Sequence, residues 1–169
     1  MTRDGQLIVA IGDRYAVDIV RPGGGVLRLS RAAAPVAVSA EERAAEADRI
    51  ARIFRRVVPG WTWDGPAIPS MKPSIMWIHS GRDSSIWVRV PQPGTALPDS
   101  ERVAGLQSFV REPMAFDVFA ADGRYLGQVT APPGMQLQPY PVIDRDRVWA
   151  VVHTEDGVDV IVRFRIARE

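Results

Sequence analysis

The sequence predicts a mainly β fold: about three antiparallel blades of a partial β-propeller, interrupted by one amphipathic helical insertion. Three observations lead there. Short runs in which apolar and polar residues alternate recur along most of the chain, joined by Gly- and Asp-containing turns. One segment alone switches to helical spacing. A common plan, a charged turn followed by a strand bearing aromatic or aliphatic residues, returns several times.

The first 31 residues hold three β-type runs within "QLIVAIGDRYAVDIVRPGGGVLRLSR" (6–31). They are Leu7 to Ile11, Tyr15 to Val20 and Val26 to Leu29. In the second, Tyr15, Val17 and Ile19 alternate with Ala16, Asp18 and Val20, as on a strand with one buried face. Gly12-Asp13 and Pro22-Gly23-Gly24-Gly25 supply the turns, so a three-stranded meander is the simplest reading.

The period then changes. "SAEERAAEADRIARIFRRVV" opens with Ser39 and places Glu42 three residues later, the signature of a capping box. Ile50, Ile53, Phe54 and Val57 recur at helical spacing opposite an Arg/Glu face, and Pro59-Gly60 stops the run. The spacing predicts a helix over 40–58, lying with its narrow apolar stripe on the β body.

"PGWTWDGPAIPSMKPS" (59–74) has neither period and reads as a surface loop anchored by Trp61 and Trp63. Two strands follow around Gly81-Arg82-Asp83. After a polar loop (91–112), "AFDVFAADGRYLGQV" (115–129) reads as a hairpin, making four strands in sequence order. The C-terminal part repeats the design: a short run at 140–143, then "RVWAVVH", a Glu155-Asp156-Gly157 turn, and "VDVIVRFRI". The organisation expected is an incomplete blade (1–31), a helical insertion with a Trp/Pro-rich loop (32–74), a four-stranded blade with a loop insertion (75–130) and a C-terminal blade (131–169), all in one structural domain.

"GDRYAVDIVRPGGGVLRLSR", "PVAVSAEERAAEADRIARIFRR" and "PSIMWIHSGRDSSIWVRV" together resemble the C-terminal half of bacterial six-bladed β-propeller proteins related to the NHL-repeat group. The resemblance implies a binding scaffold; some relatives, the lactonases and streptogramin-type lyases, are enzymes. It also implies export, common among full-length members. The family closes six blades and this chain supplies about three. Either the chain is a fragment, which a first strand beginning almost at Met1 favours, or two copies associate as a homodimer to complete a ring.

Composition excludes several classes. Forty-six per cent hydrophobic and 24% charged residues make a globular mixture, and a formal charge of +1, from 21 basic and 20 acidic residues, creates no field favouring nucleic acid. No signal-peptide core or membrane span is visible, the N-terminal apolar run being too short. Without cysteine there is no disulfide, thiolate zinc site or cysteine nucleophile.

No catalytic constellation is legible. His79 and His153 lack metal-binding spacing, Ser84 and Ser85 lack a nucleophile elbow, and Gly23-Gly24-Gly25 is followed by no phosphate-loop lysine. Lactonase-type propellers hold calcium through acidic and amide oxygens, yet this chain has no asparagine, so no metal or cofactor is expected. Trp87 and Trp149 stand at equivalent blade positions and read as packing between blades. The ligand-binding candidates are Trp61 and Trp63 in their loop, with Trp77, His79 and Arg82 around the first turn of the second blade. The expected function is noncatalytic binding of a protein, peptide or small ligand; the alternative is part of a propeller hydrolase or lyase whose site is completed elsewhere.

Overall fold

Period-2 runs become strands nearly where the alternation places them. The computed structural model describes residues 5–102 and 108–167, which cluster into two compact units. The first takes in the described residues of Met1–Ala34, Pro73–Pro91 and Met114–Glu169; the second, those of Pro35–Lys72 and Gln92–Pro113. The protein is mainly β, with several antiparallel sheets and, among the described residues, one α-helix.

The first unit holds three sheets. An N-terminal meander pairs β1 (Leu7–Ala10), β2 (Ala16–Val20) and β3 (Val26–Ser30) in chain order. The central sheet runs in the order β4 (Trp77–Ser80), β5 (Ile86–Val90), β8 (Ala115–Phe119), β9 (Tyr125–Thr130). The C-terminal meander is β10 (Val142–Asp144), β11 (Arg147–His153) and β12 (Asp159–Arg165). Asp-Gly and Gly-rich turns close these hairpins because they admit the positive φ that tight reversals need, as at Gly123 (φ 92°).

Side-chain alternation makes the central sheet the middle of three layers. Ile86, Val88 and Val90 of β5, with Ala115 and Phe119 of β8, face the N-terminal sheet, where Tyr15, Val17, Ile19 and Leu29 meet them. Trp87, Phe116 and Val118 point the other way, against Ile143, Val148 and Ala150 of the C-terminal sheet. Every residue of β8 is therefore buried. A strand covered on both faces carries the near-continuous apolar run that "AFDVF" shows, with one exception.

That exception is Asp117, 1% exposed. An ionised carboxylate so deep is tolerated only when its oxygens are satisfied. Tyr15 donates to Oδ2 at 2.8 Å; Arg31 (2.5 Å), Tyr125 (3.1 Å) and Gln128 (3.2 Å) donate to Oδ1. Burial, then the hydrogen bond to Asp117, pushes the Tyr15 phenol far above its ordinary value, so it remains a donor at all working pH. The cluster ties two residues of the N-terminal segment to β8 and β9.

The second unit is built on α1 (Ala40–Arg55), which packs on a short hairpin of β6 (Thr95–Ala96) and β7 (Val110–Arg111). The expected capping box is present: Glu42 N–H donates to Ser39 Oγ at 3.0 Å, and Ser39 N–H to Glu42 Oε2 at 2.8 Å. Two expectations change. Regular helix stops at Arg55, three residues before the predicted end, because Val57 and Val58 N–H both turn back to the Phe54 carbonyl. The most buried positions are Glu42, Ala45 and Ala51, while Phe54 and Val57 of the predicted stripe are exposed; small side chains let the helix approach its neighbours closely. The polar stretch read as a loop over 91–112 supplies the β6–β7 hairpin, pairing Thr95 with Arg111 and Ala96 with Val110; residues 103–107 lie outside the described residues.

Lys72, the only lysine of the chain, is the charged centre of this unit. Its ammonium, 8% exposed, lies 2.7 Å from Glu42 and 2.8 Å from Glu112, and donates to the Gln92 carbonyl at 2.7 Å. Burial disfavours the Glu42 charge, but hydrogen bonds from Lys72 and the Ser39 N–H outweigh it and hold the carboxyl below its usual range. Burial likewise opposes the Lys72 charge, and the two glutamates override it, raising Lys72. The stabilisation from Glu42 is therefore present above the ordinary Glu range, about pH 4.3, and is lost as pH falls through its lowered folded value.

Two predictions follow from these buried charges. Arg31→Met leaves Asp117 with three neutral donors and no cation and lowers stability by about 1.5–3 kcal/mol in urea denaturation, and Tyr15→Phe by about 1.5–3 kcal/mol; adding Asp117→Asn to Arg31→Met recovers much of the loss. Lys72→Met confronts the buried Glu42 and the half-buried Glu112 and costs about 3–5 kcal/mol, with amide exchange in α1 accelerating first.

Candidate functional site

Where the central and C-terminal sheets separate toward β9 and β12, they enclose an open cleft of about 1080 Å³. One wall is Trp87, Phe116, Val118 and Val129; the other is Ile143, Val148, Phe164 and Ile166. The residue types follow from strand period: the same alternation that sends Asp117 toward the N-terminal sheet sends Phe116 and Val118 here. Gly127, opposite Val118 in β9, helps keep the space open. It lies at φ 129°, which disfavours any side chain, and nothing stands within 4 Å of the position a Cβ would take.

Polar groups gather at one end. Asp83 Oδ1 accepts from Ser85 Oγ (2.6 Å) and Ser85 N–H (3.2 Å), while Oδ2 accepts from Arg145 N–H at 3.1 Å. Ser85 Oγ in turn accepts from the buried Trp87 indole at 3.1 Å. The two turns are thereby locked together, and Arg82 N–H adds a 2.7 Å bond to the Ile143 carbonyl. Gly81 permits this closeness, since a Cβ there would overlap Asp83 Oδ1 and Ser85 Oγ. Two non-glycine residues at this rim, Ser84 (φ 61°) and Arg145 (φ 57°), hold left-handed backbone, an uncommon conformation for either.

An aromatic ladder borders the same face of the central sheet. His79 stacks on Trp77 (centroids 5.1 Å, 19°) and on Tyr140 (5.6 Å, 23°), and Trp77 meets Phe116 edge-on at 6.0 Å. Burial pushes the His79 imidazole below its ordinary value; a hydrogen bond to the Pro141 carbonyl opposes this only in part. The neutral ring therefore predominates at neutral pH.

The five candidates read from the sequence fall in three places. Trp77 and His79 come together in the ladder, and Trp77 also lines the cleft. Arg82 is exposed beside the rim and contributes its backbone N–H. Trp61 and Trp63 belong to the other unit, where Trp61 stacks on Phe54 at 4.8 Å and Trp63 meets Trp61 edge-on at 6.2 Å, its indole N–H bound to the Gly65 and Pro66 carbonyls. Their ring faces thus anchor the loop to α1. Tyr140 and Arg145 went unread, because a Pro-rich loop and a turn carry no periodicity. Trp87 packs against the C-terminal sheet, whereas Trp149, on the opposite face from Val148 and Ala150, points away from the central sheet.

Among the described residues no group of three His, Cys, Asp or Glu side chains is placed to hold a metal, and no helix is long and apolar enough to cross a membrane. No family model, curated protein or solved structure matches the chain.

Because His79 is held neutral by burial, the unfolded state takes up its proton first on acidification. Stability is accordingly full above the unfolded histidine value, about 6.5, and declines as pH falls through that value toward the lowered folded one. His79→Phe keeps the stack and removes this slope, seen as a smaller loss of urea midpoint between pH 7 and pH 5 than in the parent.

Proposed function

We propose that the protein is a noncatalytic binding scaffold made of about three consecutive propeller-type blades, with the cleft between the second and third as its ligand site. The blade reading is supported by the layering: each sheet presents one face to the next, and Trp149 occupies on β11 the place that Trp87 holds on β5, facing onward from the stack. The exposed Leu7, Val9 and Val26 on the outer side of the N-terminal sheet repeat that pattern at the other end.

The cleft itself carries the binding reading. Its volume matches the upper end of sites that bury small molecules, roughly 300–1,000 Å³, and it combines apolar walls with a few fixed polar groups at one end. A largely apolar ligand, or an apolar peptide side chain, is what such walls favour, burial contributing about 25 cal/mol per Å². Among the described residues no arrangement of base, nucleophile and oxyanion donors accompanies the rim, and the recognition reading rests on the apolar walls and fixed polar end of the cleft.

Titration with decanol, followed calorimetrically and by tryptophan fluorescence, tests the reading. Saturable one-to-one binding is expected, and Val129→Trp, which fills the cleft, should weaken it at least tenfold. Absence of saturable binding, or indifference to Val129→Trp, would overturn the assignment.

A further inference from the structure

We propose that the cleft takes a single-chain carboxylate, an amphiphile whose apolar tail lies between the two sheets and whose head is held by the Arg145 guanidinium. The inference rests on the cleft being a binding site and adds the chemical class of its ligand.

The argument begins with charge at the rim. Asp83 is saturated by the protein's own donors, Oδ1 by Ser85 and Oδ2 by Arg145 N–H. Asp146 is paired with Arg165 at 3.1 Å and lies 3.9 Å from Arg147. Arg145 lines the cleft, and its guanidinium enters no ion pair among the described residues. Asp83 keeps its charge with both oxygens engaged, so among the described charged side chains that line the cleft the Arg145 guanidinium is the one left with all its hydrogen-bonding groups free. A planar guanidinium presents paired N–H donors matched to a carboxylate.

Backbone geometry points to the same residue. Arg145 is the first residue of the two-residue connection between Asp144 and Arg147, a place where hairpins favour Gly, Asn or Asp because φ is positive. Arginine at φ 57° is locally unfavourable, and the bond from its N–H to Asp83 holds it there. That combination costs stability without adding to the core; what it does is station a cation at the end of an apolar cleft. Inward from Arg145 the lining turns to Phe116, Val118, Val148 and Phe164, with which a methylene chain is compatible and a second charge is not.

Decanoate, below its micellar concentration at pH 8, is the probe, with decanol as the neutral comparison. Decanoate should bind at least tenfold more tightly than decanol. Arg145→Gln should bring decanoate down to the level of decanol, a loss at least fivefold larger than any change it makes in decanol binding. Arg145→Gly, which removes the φ penalty and so keeps the fold, should give the same loss. Decanoate no tighter than decanol, or unmoved by both substitutions, would overturn the head-group assignment while the cleft stands. Decanoate binding that depends on Arg145 but ignores Val129→Trp would place the ligand on the surface and also overturn it. If neither compound binds saturably, the cleft reading itself fails.

Discussion

A single buried carboxylate organises the sheet unit. Asp117 sits in a strand covered on both faces, and the cost of desolvating it is offset only because four side chains from separate parts of the chain converge on its two oxygens. Hydrophobic contact between the N-terminal and central sheets is non-directional, so by itself it tolerates sliding. Hydrogen bonds from Tyr15 and Arg31 to a fixed point on β8 do not. With β8 pinned on that side, Phe116 and Val118 on the opposite side become a fixed wall, and the cleft inherits its shape from a charge on the other face of the strand.

The cleft is the complement of good packing elsewhere. Near β5 and β10 the two sheets close around Trp87 and Ile143, where the Asp83 turn and the Arg145 turn are bolted together by hydrogen bonds. Toward β9 and β12 the lining includes Gly127, which brings no side chain to fill the gap. Space and strain therefore occur side by side: left-handed Arg145 lines the polar end of the cleft and left-handed Ser84 stands between Asp83 and Ser85, which also line it, where backbone cost is tolerated for the placement it achieves.

The second unit solves a different problem with the same means. A 16-residue helix, a two-residue-per-strand hairpin and irregular segments offer little apolar area, and the helix buries alanines more completely than its larger apolar residues. Lys72 bridging Glu42 and Glu112 supplies direction where packing is sparse, and Glu42 serves twice, closing the N-terminal cap of α1 and receiving the ammonium. Trp61 and Trp63 complete the arrangement by laying the following loop back on Phe54.

Local chemistry was legible in the sequence because it depends on near neighbours: alternation set the strands of all three sheets to within a residue or two, Ser39 and Glu42 declared the helix start, and Gly/Asp turns marked the hairpins. Trp77 and His79 were legible as separate candidates but not as a stacked pair. Long-range polar chemistry was not legible. Asp117 is 102 residues from Tyr15 and 86 from Arg31, and within "AFDVF" nothing distinguishes a buried, fully bonded aspartate from one facing water. The same holds for Lys72 with Glu112, for Tyr140 against His79, and for Arg145 at the cleft. The sequence by itself determined the mainly β composition, the position of the hairpins in the three sheets of the first unit and the capped helix, since those follow from the period of the backbone and its turns. Only the tertiary structure decided which faces meet, which charges are buried and where the sheets part, because these depend on contacts between residues whose separation along the chain carries no periodic signal.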